Sequence, residues 1–446
     1  MIRGRSLAVA GVVTAALALA AAALAVTGSL TYRGCIANAG ADGCEAPARD
    51  SFGNNLGLTV TPDGTAVYAA GFNGTLTRLT RDPVTGDLTF SDCFADGGRH
   101  RCRDVPHDSL DAASGVAVSP DGASVYVTSE EPTSAITRFR LTGTGRLGYR
   151  SCLANGGREA GRRSCDKPPR NSLESNEAIA IAPDGRSAYV VSSGSDSITW
   201  FNLKAGGKLR YRGCVADRGR HGCRDPKHDS LGGAFDVAVS PDGNSVYVAS
   251  LTGDSVTRFD RRPTGALAYR GCVANNAKLG CRALKSDALG GADALAVSPD
   301  GKSLYVAALR ADAVMRFNRG PSGSLDPAGC LANFAAHGCR RPLQNSLSAA
   351  NGVAVSPDGR SVYVSAMSGP TVNGGAGAIS VFDRSADGSL TSRGCFADAG
   401  AHECAAPPLE SLDAPASIAL SPDGRSLYVG SYGREVSIFD RESALP

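Results

Sequence analysis

The chain has 446 residues, is 42% hydrophobic and 20% charged, and carries a formal net charge of +3. That apolar content excludes a disordered chain, and so small a net charge gives no electrostatic basis for binding nucleic acid or an anionic membrane. Fourteen cysteines, an even number, and 55 glycines point to a disulfide framework and many tight turns.

The first element is an export signal. Met1-Ile2-Arg3-Gly4-Arg5 is basic, Leu7 to Val26 is uncharged, and Ala23-Leu24-Ala25 has the small-x-small pattern of a processing site. Residues 1–25 are expected to be a signal peptide. The apolar run is also long enough to stay as an uncleaved anchor, the one route to a membrane. Ser29-Leu-Thr-Tyr-Arg33, followed by Cys35, reads as a lone strand ahead of a repeat.

The repeat is marked by [STA]-Pro-Asp-Gly, whose aspartates are Asp63, Asp121, Asp184, Asp242, Asp300, Asp358 and Asp423. Their spacing is 58 residues in four steps, 63 where a Cys loop is longer, and 65 where Gly369 to Gly377 is inserted. The fourth repeat can be read in full. Asp236-Val-Ala-Val-Ser240 alternates as a strand, and Pro241-Asp242-Gly243 turns the chain. Ser245–Ser250, Ser255–Asp260 and Ala266–Arg270 follow as strands, ending at Cys272. Four short antiparallel strands, seven times over, predict an all-β, seven-bladed β-propeller. The chain stops after Glu435–Asp440, a third strand, so Ser29–Arg33 is expected to complete the seventh blade and close the ring. Residues 29–440 form the propeller and 441–446 a short tail.

Each connection between blades holds one cysteine pair: Cys35/Cys44, Cys93/Cys102, Cys152/Cys165, Cys214/Cys223, Cys272/Cys281, Cys330/Cys339 and Cys395/Cys404. In an exported chain these are expected to be disulfides that staple long loops, all on the rim opposite the Pro-Asp-Gly turns. The six histidines also lie here: His100, His221, His337 and His402 two residues before the second cysteine, and His107 and His228 five after it. One Cys pair and one His fall short of the four ligands of a zinc site, so exposed loop histidines are expected.

No nucleophile elbow, metalloprotease, P-loop or EF-hand motif occurs. The Pro-Asp-Gly aspartates repeat identically and read as turn residues. Candidates for a site are instead residues that break the repeat. Six positions before the turn proline stand Leu56, Ser114, Glu177, Phe235, Asp293, Asn351 and Ala416, and Asp236 stands five before. Glu177, Asp236, Asp293 and Asn351 would form an arc of oxygens at the channel mouth, suited to Ca²⁺ (at Glu177, Asp293 and Asn351) or to a cationic or polyol ligand. Strand parity sets Asp236 apart from the other three. Arg78, Arg138, Arg258 and Arg316 share one third-strand position, where each stem is expected to pack with its head in water.

Val237-Ala-Val-Ser-Pro-Asp-Gly-Asn-Ser-Val-Tyr-Val-Ala249, followed by Ser255-Val-Thr-Arg-Phe-Asp260, resembles YVTN-type repeats and the lactonase-type, 6-phosphogluconolactonase-like propellers. The resemblance covers essentially the whole chain after residue 25. It implies the seven-bladed fold and, for its enzymes, lactone ring opening. Those enzymes often carry Gly-Pro-Arg-His just before this strand, where this chain has Ala234-Phe235-Asp236 or Ala350-Asn351-Gly352. The expectation is an exported, monomeric module acting outside the cell or at its surface. It would bind a small molecule or an extracellular protein, with lactonase-like hydrolysis as the alternative.

Overall fold

A computed structural model describes residues 28–142, 146–155, 165–275, 279–367 and 377–442. The expected signal peptide, residues 1–25, and most of the inserted stretch after Met367 lie outside them. The chain forms seven antiparallel sheets of four strands, two of which gain a two-residue fifth strand, Arg103–Asp104 and Arg282–Ala283. The innermost strands are Asn55–Val60, Ala113–Val118, Asn176–Ile181, Ala234–Val239, Ala292–Val297, Ala350–Val355 and Pro415–Leu420. Each adjoins the next around a common axis, and the seventh adjoins the first. This is a seven-bladed β-propeller. Leu30–Ala37 pairs antiparallel with Glu435–Arg441, so one chain end supplies the outer strand of the last blade.

Second strands form the core, because each is covered by a neighbouring blade on both faces. All seven are buried along their whole length. Each carries a central tyrosine with no exposed surface. A buried phenol needs a partner. Six of the seven donate to a glycine carbonyl of the next blade at 2.6–2.9 Å, five of them to a glycine in its hairpin, as Tyr189 does to Gly265 and Tyr428 to Gly86. Tyr363 donates to Gly28, which ties blade six to the start of the described chain.

On the same rim the third strands of five blades end in arginine. Arg81, Arg261, Arg319, Arg384 and Arg441 each reach back to the turn aspartate of the preceding blade (Asp423, Asp184, Asp242, Asp300 and Asp358) at 2.6–2.9 Å. Each also donates to that blade's tyrosine hydroxyl. The last strand therefore runs one residue beyond the expected Asp440. Arg441 is a buried cross-blade strap and not part of a tail.

A second arginine expectation is overturned in part. Arg138, Arg258 and Arg316 do not leave their heads in water. They donate to backbone carbonyls of the next blade's hairpin: Gly206, Ser322 and Asp387. Arg78 donates to Ser91 in its own blade. Backbone carbonyls left over at a tight turn are good guanidinium acceptors, which decides the matter.

All seven expected disulfides form: Cys35–Cys44, Cys93–Cys102, Cys152–Cys165, Cys214–Cys223, Cys272–Cys281, Cys330–Cys339 and Cys395–Cys404, with Cα–Cα distances of 4.8–5.0 Å. The first cysteine of each pair lies near the end of an outer strand, and the second follows the loop. After the second cysteine the chain returns alongside the outer strand in a short parallel bridge or strand. These loops lie beside the turns between second and third strands, as the Asp96 N–H donating to the Gly74 carbonyl shows. His100, His221, His337 and His402 all have φ of 57–58°. Histidine is among the few side chains that tolerate this left-handed region, so loop geometry accounts for its placement.

Candidate functional site

The channel opens on the disulfide rim into a cavity of about 640 Å³. Two rings of side chains shape it. The inner ring is the position six before the turn proline. In six blades the register between first and second strands slips at this residue, as between Asn176 and Ala178 or between Ala292 and Ala294. It is thus a β-bulge residue, unpaired with the second strand and free to turn inward. The bulge also cancels the parity argument. Asp236, one residue on, lines the same cavity as Glu177, Asp293 and Asn351.

The disulfides stand apart from this cavity. Cys44, Cys102, Cys165, Cys223, Cys281, Cys339 and Cys404 are absent from its lining, and so are the seven cysteines they pair with. Each bond ties a loop to a fourth strand, at the far edge of the blade from the inner strand that faces the channel. The fourteen cysteines are therefore staples of the rim and not members of the site.

The four candidates are brought together but have different surroundings. Asn351 donates to the Pro415 carbonyl of the next blade and accepts from Ser365, both at 3.0 Å. Asp236 accepts the backbone N–H of Leu295 in the next blade at 2.8 Å and its neighbour Val237 at 2.7 Å. Ser114 likewise donates to the Asn176 carbonyl at 2.7 Å. These three strap adjacent inner strands. Glu177 and Asp293 do not. Glu177 accepts from Ser193 at 2.5 Å and is hydrogen-bonded to Glu130. Asp293 is 6% exposed and makes no hydrogen bond among the described residues.

The outer ring was not read from the sequence. It is the first residue after each second strand: Phe72, Glu130, Ser193, Leu251, Leu309, Met367 and Tyr432. All but Ser193 line the cavity. Aligning the repeats at the end of the second strand would have found this collar, whose members vary while the strand before them does not. Phe72 and Tyr432 are 40% and 37% exposed.

The cavity lining holds no lysine, arginine or histidine among the described residues. Its acids are therefore desolvated without a counter-charge. Burial first, and then the charge of Glu130, push Glu177 up to about 8. Burial raises Glu130 as well. Burial raises Asp293 well above the usual carboxylate range, reinforced by Asp236 and Glu177. Burial raises Asp236 too. Burial pushes Tyr432 up to about 12, helped by the charges of Asp293, Glu130 and Glu177, so its phenol faces the same acids. No group of three His, Cys, Asp or Glu side chains gathers at metal-binding distance among the described residues.

Fold and site together define a seven-bladed propeller with an acidic, ligand-sized cavity on a disulfide-stapled rim. Solved structures share this fold. The periplasmic gluconolactonase of Pseudomonas aeruginosa matches with a TM-score of 0.52 and 19% identity, over 77% of this chain and 85% of that one. Two provisionally assigned 6-phosphogluconolactonases match similarly. The protein from Bacteroides uniformis has a TM-score of 0.53 and 19% identity over 76% of this chain and 84% of that one. The protein from Bacteroides fragilis has a TM-score of 0.54 and 18% identity over 82% and 86%. At such identity the likeness is one of fold. No protein-family model and no curated protein matches the chain.

Proposed function

We propose that this protein is an exported binding module that takes a small molecule into the channel mouth on its disulfide rim. Seven disulfides suit an oxidising, extracellular setting, and residues 1–25 would provide export. One observation carries the reading. Blades that repeat the same tyrosine, turn and disulfide present different side chains where they line one cavity. A volume of about 640 Å³ suits a small organic ligand. The test is a thermal-shift screen of sugars, lactones, amines and Ca²⁺ against the native protein and Leu309→Trp, which fills the mouth. A ligand class should raise the melting temperature of the native protein and leave the variant unmoved. No shift from any class would reject the reading.

Lactone hydrolysis is the second reading, favoured by the fold shared with the periplasmic gluconolactonase and by Glu177, whose pKa of about 8 suits a general base. It expects gluconolactone turnover that rises toward pH 8 and falls at least 100-fold in Glu177→Gln.

A further inference from the structure

Resting on that reading, we propose that the ligand is an organic cation, its charge held between Asp293 and the Glu130–Glu177 pair and its apolar body against Leu251, Leu309 and Tyr432. Asp293 is the starting point. The residue is nine-tenths buried, lines the cavity and makes no side-chain hydrogen bond among the described residues. Nor is it there to strap blades. Ser114 and Asn351, at the same position, bind carbonyls of the following inner strand, a task for which a hydroxyl or an amide suffices. A carboxyl group left without partners in a desolvated wall must either keep its proton or, when ionised, be compensated by something outside the protein.

The charge balance of the wall fixes what that something is. Four acids face the cavity from four consecutive blades: Glu130, Glu177, Asp236 and Asp293. The other titratable group is the phenol of Tyr432, and there is no basic residue among the described lining. An anionic ligand would be repelled, and a neutral one would let the acids keep their protons and draw nothing from their charge. A small metal ion needs several oxygens converging on one point. Asp236 and Asn351 already spend oxygens on Leu295 and Ser365, and no three acids cluster among the described residues. A large, diffuse positive charge needs no such convergence. The collar favours it too, since Phe72 and Tyr432 present partly exposed rings at the mouth, the side chains that attract organic cations. Leu251, Leu309 and Met367 add apolar surface to the same collar.

Entry of a fixed positive charge would drive off protons that the acids otherwise hold. The probe is benzyltrimethylammonium, whose charge does not titrate, with 2-phenylethanol as its neutral counterpart. Calorimetry on the full chain in phosphate and in Tris counts the protons released. The expected result is binding of the cation with proton release and affinity at least tenfold higher at pH 8.5 than at pH 6. Asp293→Asn and, independently, Glu177→Gln should each weaken the cation at least tenfold while melting cooperatively, and neither should change the binding of neutral compounds. If neutral compounds or sugars bind in the mouth, are blocked by Leu309→Trp and outcompete the cation, the cation proposal falls and the binding module stands. If Ca²⁺ binds stoichiometrically and the cation does not, the proposal falls to a metal site. If no probe binds the native protein, both readings fall.

Discussion

The residue after Cys-x-Ala in every disulfide loop has a task that its alternation between Asn and Asp explains. Asn38, Asp96, Asn155, Asp217, Asn275, Asn333 and Asp398 each accept the backbone N–H of the buried Leu or Phe that precedes the next inner strand. An acceptor oxygen is all the position requires, so a carboxylate adds only a desolvated charge. Burial, reinforced by Asp229 and Asp196, accordingly pushes Asp217 up to about 7, against the hydrogen bond from Leu231. With a folded pKa raised from 3.8, the native state binds the proton more tightly than the unfolded chain does. Stability is therefore full below about pH 4 and is lost as the pH climbs to about 7. Asp217→Asn keeps the acceptor and removes the charge. It should stabilise the protein by at least about 1 kcal/mol at pH 8 and by nothing at pH 4, read from urea melts. An equal gain at both values would mean the charge is not the cost. The serine before that leucine shows the same logic. Ser230 and Thr257 bond within the blade at 2.8 Å, and where one blade has Ala288 in place of the serine it has Met315 in place of the threonine. Losing both partners of a buried pair costs less than orphaning one.

At the scale of strands and hairpins, the repeat was legible and the contacts between repeats were not. The turn, the alternating strands and the cysteine spacing are local patterns, and each of them is found in the fold. The bulge that turns both Asp236 and its neighbour inward is not local, because it exists only in the register between two strands. The strap from Arg261 to Asp184 joins residues 77 apart, so neither sequence position signals the other. Once visible, the strap makes the ring unequal. Leu141 and Leu203 stand where five blades have arginine, leaving Asp63 and Asp121 without a strap of this kind. In the strapped blades burial opposes ionisation, but hydrogen bonds from serine, backbone and arginine hold Asp242, for one, below the usual range. These straps should act at neutral pH and fail only in acid, below about pH 4. Arg261→Leu should cost about 1–3 kcal/mol at pH 7, because Ser187 and Tyr189 lose a charged donor along with Asp184. Leu203→Arg should recover part of that stability when combined with it, by supplying Asp121. Thermal melts of the two single variants and the double variant decide. If Arg261→Leu melts like the parent, the arginines are ornaments of the rim and not its fastening.

For the molecule as a whole, the closing strand carries the strongest requirement. A four-stranded blade exposes an edge, and an open ring exposes the faces of its first and last blades as well. Leu30–Ala37 meets these needs by pairing with Glu435–Arg441, while Gly28 receives the Tyr363 hydroxyl of blade six and Ser29 receives the N–H of Glu442. Its own disulfide, Cys35–Cys44, lies within the same short segment, so the segment can move as a unit. The two edges of the described propeller touch, since the Gly28 N–H donates to the Glu442 carbonyl. Every other blade spans this gap with a hairpin between its third and fourth strands, as at Ala205–Gly207. Deleting residues 28–44 should therefore abolish the cooperative melt and leave an aggregating chain. Moving the same residues to follow Glu442 through a short glycine-serine turn should restore a melting temperature within a few degrees of the parent, because chain order does not enter the packing. Calorimetry on the deleted and the permuted proteins tests closure by the strand apart from closure by the chain end. A deleted protein that still melts cooperatively would show that the seven inner strands hold the ring without their outermost partner.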